Sequence, residues 1–112
     1  MLYIVVGLET CTRVYFATNR TLVCTYTHGS VNFGRVKFFP AGDKFAFAIE
    51  EDSIRIIDAR TCSLVNSFAT GHAKVNDVDF NQDGTKMLTC GDDQKFKVWD
   101  ASTGAIFSST PL

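Results

Sequence analysis

The sequence predicts an all-β fold, a partial β-propeller built from four-stranded antiparallel blades of 42 residues. Three observations predict it: a 42-residue repeat, four short apolar segments per repeat, and turn residues at matching places between them. The chain has 112 residues, enough for one domain, with 46% hydrophobic and 21% charged residues. Those proportions suit a folded chain and exclude disordered or collagen-like classes. No twelve-residue segment carries a clear 3.6-residue period, so no helix is expected.

Shifted by 42, residues 29–70 align with 71–112 without a gap, and nine of 42 positions are identical. Chance would give roughly two or three. The matches include Val36/Val78, Phe38/Phe80, Gly42/Gly84, Asp58/Asp100 and Thr61/Thr103. Residues 1–28 align with 43–70 at the same offset, through Glu9/Glu51, Arg13/Arg55, Ala17/Ala59, Leu22/Leu64 and Val23/Val65. The chain therefore divides into a partial blade at 1–28, which lacks its innermost strand, and full blades at 29–70 and 71–112.

The last repeat justifies each element in turn. Residues 75–80 form a first strand whose apolar positions, 75, 78 and 80, step irregularly and suggest a bulge. Asn81-Gln82-Asp83-Gly84 is a turn, and 86–90 a second strand. Gly91-Asp92-Asp93-Gln94 turns again, and 95–99 alternates as a third strand. Ser102-Thr103-Gly104 leads into a fourth at 105–109. The middle repeat matches, with Phe39-Pro40-Ala41-Gly42 and Glu50-Glu51-Asp52 as its first two turns. Strands of three, four and four are expected, with an unpaired edge at 3–6. An open stack of this size exposes apolar blade faces, so the chain is expected to be a fragment of a longer propeller in preference to a ring completed by other chains.

Charge and targeting narrow the function classes. Eleven basic and twelve acidic residues give a net charge of −1, which supplies no basic field for nucleic acid or for an anionic membrane. The apolar start has no basic residue before it and Glu9 ends it, unlike a signal peptide or a membrane span. Cys11, Cys24, Cys62 and Cys90 lack two-residue metal spacings and are expected to be reduced thiols of an intracellular protein, cytoplasmic or nuclear. Asn19-Arg20-Thr21 fits a glycosylation acceptor and is read as a turn.

Gly71-His72, twenty-six intervening residues and then Trp99-Asp100 resemble the WD-repeat family, whose blades are bounded by such pairs. The middle copy has Gly29-Ser30 and Ile57-Asp58 at these places, and the first has Tyr15-Phe16 at the second. The resemblance implies a buried structural network of His72, Thr89, Asp93 and Trp99, a set of polar groups that satisfy one another. The middle copy holds Ser30, Glu51 and Ile57 at three of those positions, so its blade is expected to rest on Phe45, Phe47, Ile54 and Ile56.

Catalytic readings of the same residues are weaker. His72 with Asp93 lacks a nucleophile, so structure is favoured over acid–base work. The acidic turns lack the alternating ligands of a calcium loop, and no Gly-rich phosphate loop enters a helix. Arg13, Arg55 and Lys97 share one repeat position and are expected to be solvated strand-face cations. No catalytic, cofactor or metal site is expected.

The expected function is a protein–protein interaction scaffold within a larger assembly, with other proteins as partners, no small-molecule substrate and no membrane insertion. By the resemblance, the partner-facing residues are Gly34, Arg35 and Glu50 in the middle copy and Asn76, Asp77 and Asp92 in the last. The alternatives are a hydrolase-like propeller with a channel active site and an RNA-associated propeller subunit. Arg35, Lys37, Asp77 and Asp79 on the inner strands offer little for the first, and the net charge little for the second.

Overall fold

Short alternating segments separated by turn residues have only one way to satisfy their backbone groups, which is to pair as neighbouring antiparallel strands. The computed structural model shows this arrangement; it describes residues 2–29, 33–49 and 52–111, the side chains of 33–35 excepted. The described residues form no helix and three separate sheets. The first contains β1 (Tyr3–Gly7), β2 (Cys11–Phe16) and β3 (Leu22–Thr27). The second contains β4 (Phe33–Phe38), β5 (Lys44–Ile49), β6 (Ser53–Asp58) and β7 (Leu64–Ala69). The third contains β8 (Val75–Phe80), β9 (Lys86–Gly91), β10 (Lys95–Asp100) and β11 (Ile106–Pro111). Each sheet is a simple meander, the order of a propeller blade, and the whole is a partial β-propeller.

The strand pairing repeats with the sequence. Phe45 pairs with Ile57 and Met87 with Trp99, 42 residues on. The inner strands β4 and β8 both carry a register shift, at Phe33/Val36 and Val75/Asp77, where the apolar spacing is irregular. The third turn of each blade places a residue at positive φ: Arg20 at 57°, Cys62 at 59° and Gly104 at 76°. Their N–H groups donate to the carbonyls of Phe16, Asp58 and Asp100 at 2.8, 2.7 and 2.9 Å.

One strand departs from the gapless alignment. A 42-residue offset sets Tyr3 opposite Tyr15, but Tyr3 pairs with Phe16. Gly7 pairs with Thr12 across four intervening residues, whereas Ile49 pairs with Ser53 across three. The longer hairpin slides β1 by one residue, and a one-residue slide exchanges the two faces of a strand. Tyr3 and Val5 consequently pack toward the second blade, while Ile4 and Val6 remain 42% and 38% exposed.

The core lies between the sheets. Val14 of the first blade meets Phe45, Phe47, Ile49 and Ile57 of the second. Ala46, Ala48, Ile54 and Ile56, on the opposite face of the second blade, meet Val75, Val78, Met87 and Trp99 of the third. The middle blade is thus covered on both sides, and Phe45, Phe47, Ile54 and Ile56 are at most 1% exposed.

Two expectations are corrected. Cys24 and Cys62 are joined in a disulfide between the first two blades, and Cys11 and Cys90 are the free cysteines of the described residues. The fold brings the Cα atoms of Cys24 and Cys62 to 5.8 Å, a separation a disulfide spans readily. The cations at the shared repeat position are not simply solvated either. Arg55 Nη1 donates to the Tyr26 hydroxyl at 2.8 Å, and Lys97 Nζ to the Thr70 carbonyl at 2.6 Å. Each reaches back to the preceding blade, because their strand face is turned toward it. Arg13 is exposed.

Candidate functional site

The polar residues of the third blade converge beneath its β9–β10 turn. His72 enters from the segment before β8, Thr89 from β9, Asp93 from the turn and Trp99 from β10. His72, Thr89 and Trp99 are 3%, 0% and 6% exposed, so each polar atom needs an internal partner. Asp93 Oδ1 lies 2.8 Å from His72 Nδ1, and Thr89 Oγ1 lies 2.9 Å from His72 Nε2. Trp99 Nε1 donates to Thr89 Oγ1 at 2.9 Å.

Counting donors and acceptors assigns the protons. A neutral imidazole with hydrogen on Nδ1 donates to Asp93 and accepts the Thr89 O–H at Nε2, which frees the Thr89 oxygen to accept from Trp99. Every donor then has an acceptor. Burial works to raise the Asp93 carboxyl, but the hydrogen bond from His72, with the Lys95 N–H and the charge of Lys97, holds it below its ordinary value.

The network extends into the second blade. The His72 N–H donates to Thr70 Oγ1 at 3.2 Å, and that hydroxyl donates to the Asp52 carbonyl at 2.7 Å. With Lys97 on the Thr70 carbonyl, the crossing from one blade to the next is tied at three points. Gly91 completes the fit: a β-carbon there would strike the Lys74 carbonyl and lie 2.7 Å from His72 Cβ. Sequence reasoning passed over Gly91 as a turn residue. Its signal was a lone glycine where the middle repeat has Ile49, a mark of close backbone approach.

Above this network lies an exposed polar rim. Asn76 Nδ2 donates to Asp92 Oδ1 at 2.8 Å, joining the bulged end of β8 to the β9–β10 turn. Asp77 Oδ1 accepts the Val78 N–H at 2.9 Å. Asn76, Asp77 and Asp92 are all exposed, so Asp92 faces out and its neighbour Asp93 in. Ser30, Glu50 and Glu51, and the side chain of Arg35, lie outside the described residues, and Gly34 is described by its place in β4 alone. Among the described residues no group of three or more His, Cys, Asp or Glu side chains gathers to hold a metal. No described helix is long and apolar enough to cross a membrane.

Residues 62–100 match the family model described as WD domain, G-beta repeat, a segment that ends on the Trp99-Asp100 pair. The chain belongs to the WD-repeat family. WD repeat-containing protein 1 of Mus musculus is 30% identical over 82 residues, covering 69% of this chain and 13% of that protein. Protein TOPLESS of Arabidopsis thaliana is 32% identical over 82 residues, covering 66% of this chain and 7% of that one. WD repeat-containing protein 36 of Homo sapiens is 27% identical over 59 residues, 53% of this chain and 7% of that protein. This WD-repeat chain thus spans about an eighth or less of the length of these curated relatives.

Proposed function

We propose that this WD-repeat chain is part of a non-enzymatic scaffold that binds other proteins inside the cell, with residues 1–28, 29–70 and 71–112 as successive blades of a larger propeller. The exposed Asn76–Asp92 pair carries the proposal. It is a polar contact surface fixed in place by the bulge of β8 and seated on a closed buried network. A rigid display of this kind lowers the ordering cost of association and requires no chemistry.

The proposed contact set is Gly34, Arg35 and Glu50 with Asn76, Asp77 and Asp92. It carries both charge signs, which favours a polar, salt-sensitive interface in which charge steers the encounter. Affinity capture with the chain, against an Arg35→Glu/Asp77→Lys double reversal, tests it. Proteins retained by the unaltered chain at low salt should be lost from the variant with solubility unchanged. Equal retention by both would overturn the surface assignment.

A further inference from the structure

The second and third blades are joined by a hydrogen bond at the place where the first and second are joined by a disulfide. Asn66 of β7 donates from Nδ2 to the Ser102 carbonyl at 3.4 Å, in the third turn of the next blade. A β-carbon on Gly104 in that turn would lie 3.7 Å from the same Asn66 nitrogen. Shifted back by 42, Asn66 becomes Cys24 and Gly104 becomes Cys62. One repeated position, fourth strand to following turn, is therefore a polar latch in one interface and a covalent latch in the other.

We propose that Cys24 and Cys62 form a thiol–disulfide exchange site, a redox-cleavable latch between the first and second blades whose co-reactant is a dithiol. Cys62 is 8% exposed and Cys24 only partly buried, so the incoming thiolate attacks Cys24 Sγ. The Cys24–Cys62 bond breaks and Cys62 leaves as a thiolate that takes up a proton. The second thiol of the reagent then attacks the mixed disulfide and closes its own cyclic disulfide. Cys24 departs and is protonated in turn. Two electrons and two protons pass to the protein, and the dithiol is oxidised by the same amount.

Both products are accommodated. Cys24 Sγ stands 3.5 Å from the Ala59 carbonyl, a contact that becomes a hydrogen bond only when the sulfur carries hydrogen. The turn holding Cys62 keeps its shape through backbone bonds, Cys62 N–H to Asp58 carbonyl at 2.7 Å and Asp58 N–H to Ser63 carbonyl at 2.9 Å. Reduction thus exchanges a covalent latch for a hydrogen-bonded one like that of the next interface. The sulfurs remain positioned to rejoin when the dithiol couple is oxidised.

The full 112-residue chain, equilibrated across graded ratios of reduced to oxidised dithiothreitol, tests the site. Samples are acid-quenched, alkylated in denaturant and counted by mass spectrometry. Two alkylated cysteines, Cys11 and Cys90, are expected under oxidising conditions and four under reducing ones, with the same titration curve in both directions. Hydrogen exchange should accelerate several-fold in β2 and β3 on reduction. In a Cys24→Asn/Cys62→Gly variant, which installs the polar latch, exchange should not respond to the reagent. Four alkylated cysteines at every ratio, two at every ratio, or β2–β3 exchange indifferent to reduction would each overturn the proposal. If the variant does not fold, the alkylation and exchange curves of the unaltered chain decide alone.

Discussion

The indole N–H of Trp99 donates to the hydroxyl oxygen of Thr89 from 2.9 Å, on the face of the third blade that packs against Phe68 of the second. The middle repeat has no counterpart, since Ile57 and Phe47 stand at the two positions and both are fully buried. Two blades of one chain therefore hold the same strands together in different ways, one by satisfied polar groups and one by apolar packing.

Trp99→Phe keeps a ring against Phe68 but removes the donor and part of the volume. It should destabilise the chain by about 1–3 kcal/mol. Ile57→Val, a methylene deleted at the matching site, should cost about 0.5–1.5 kcal/mol. Denaturant midpoints of the two variants check this, and a Trp99→Phe midpoint equal to the unaltered one would argue against a stabilising network.

Gly91→Ala places a methyl group against the Lys74 carbonyl and the His72 side chain, neither of which can withdraw without breaking the network. The expected loss is about 3 kcal/mol or more, beyond ordinary overpacking because backbone is struck. Near-ultraviolet circular dichroism, which senses Trp99, should change together with the unfolding midpoint. A variant with both signals unchanged would show that the crowding is easily relieved.

The strands were legible because their turns are written in Gly, Asp, Asn and Ser at a fixed period, and the network residues followed once the Gly-His and Trp-Asp pairs were aligned. The slide of β1 was not legible. Tyr3-Ile4-Val5-Val6 is apolar throughout, so either face could have turned inward, and only alternation pins a register. The Cys24–Cys62 bond was hidden for a related reason: it depends on two blades meeting, and a separation of 38 residues gives no local sign of that. Arg55 and Lys97 were misread because strand position shows which face a side chain occupies, not that the preceding blade covers it.

Thr12 has a buried hydroxyl with no hydrogen-bond partner among the described residues, at the position where the second blade carries Ile54. Thr12→Val keeps the shape and removes the unpaired oxygen. It should stabilise the chain by about 1 kcal/mol, within the range for an unsatisfied buried polar group. A thermal melt that moves down instead would mean that the hydroxyl has a partner in solution.

Acid should weaken the third blade. The Asp93 carboxyl is held below its ordinary value in the folded state because the His72 and Lys95 hydrogen bonds outweigh burial, and Asp100 is held low by the Ser102 hydroxyl and the Thr103 N–H. A depressed carboxyl contributes stability above its unfolded value, near pH 4, which is lost as pH falls through the folded one. Urea midpoints from pH 6 down to pH 3 should therefore decline. Asp93→Asn, which keeps an acceptor for His72 but no charge, should flatten part of that slope; an unchanged slope would remove Asp93 from the cause.

The last prediction concerns the faces left open at either end of the stack. Leu88 is 42% exposed on the outer face of the third blade, where the matching Ala46 of the second is fully covered. Nearby Phe107 is 58% exposed, and Ile4 and Val6 lie uncovered on the far side of the first blade. These positions form apolar sheet faces, and such faces and their strand edges associate. Residues 1–112 alone should therefore elute as an oligomer or aggregate, or stay in solution only with a chain that covers both faces. Size-exclusion chromatography with light scattering checks this. A cooperative, well-folded monomer of 12.4 kDa would show that three sheets suffice without further blades.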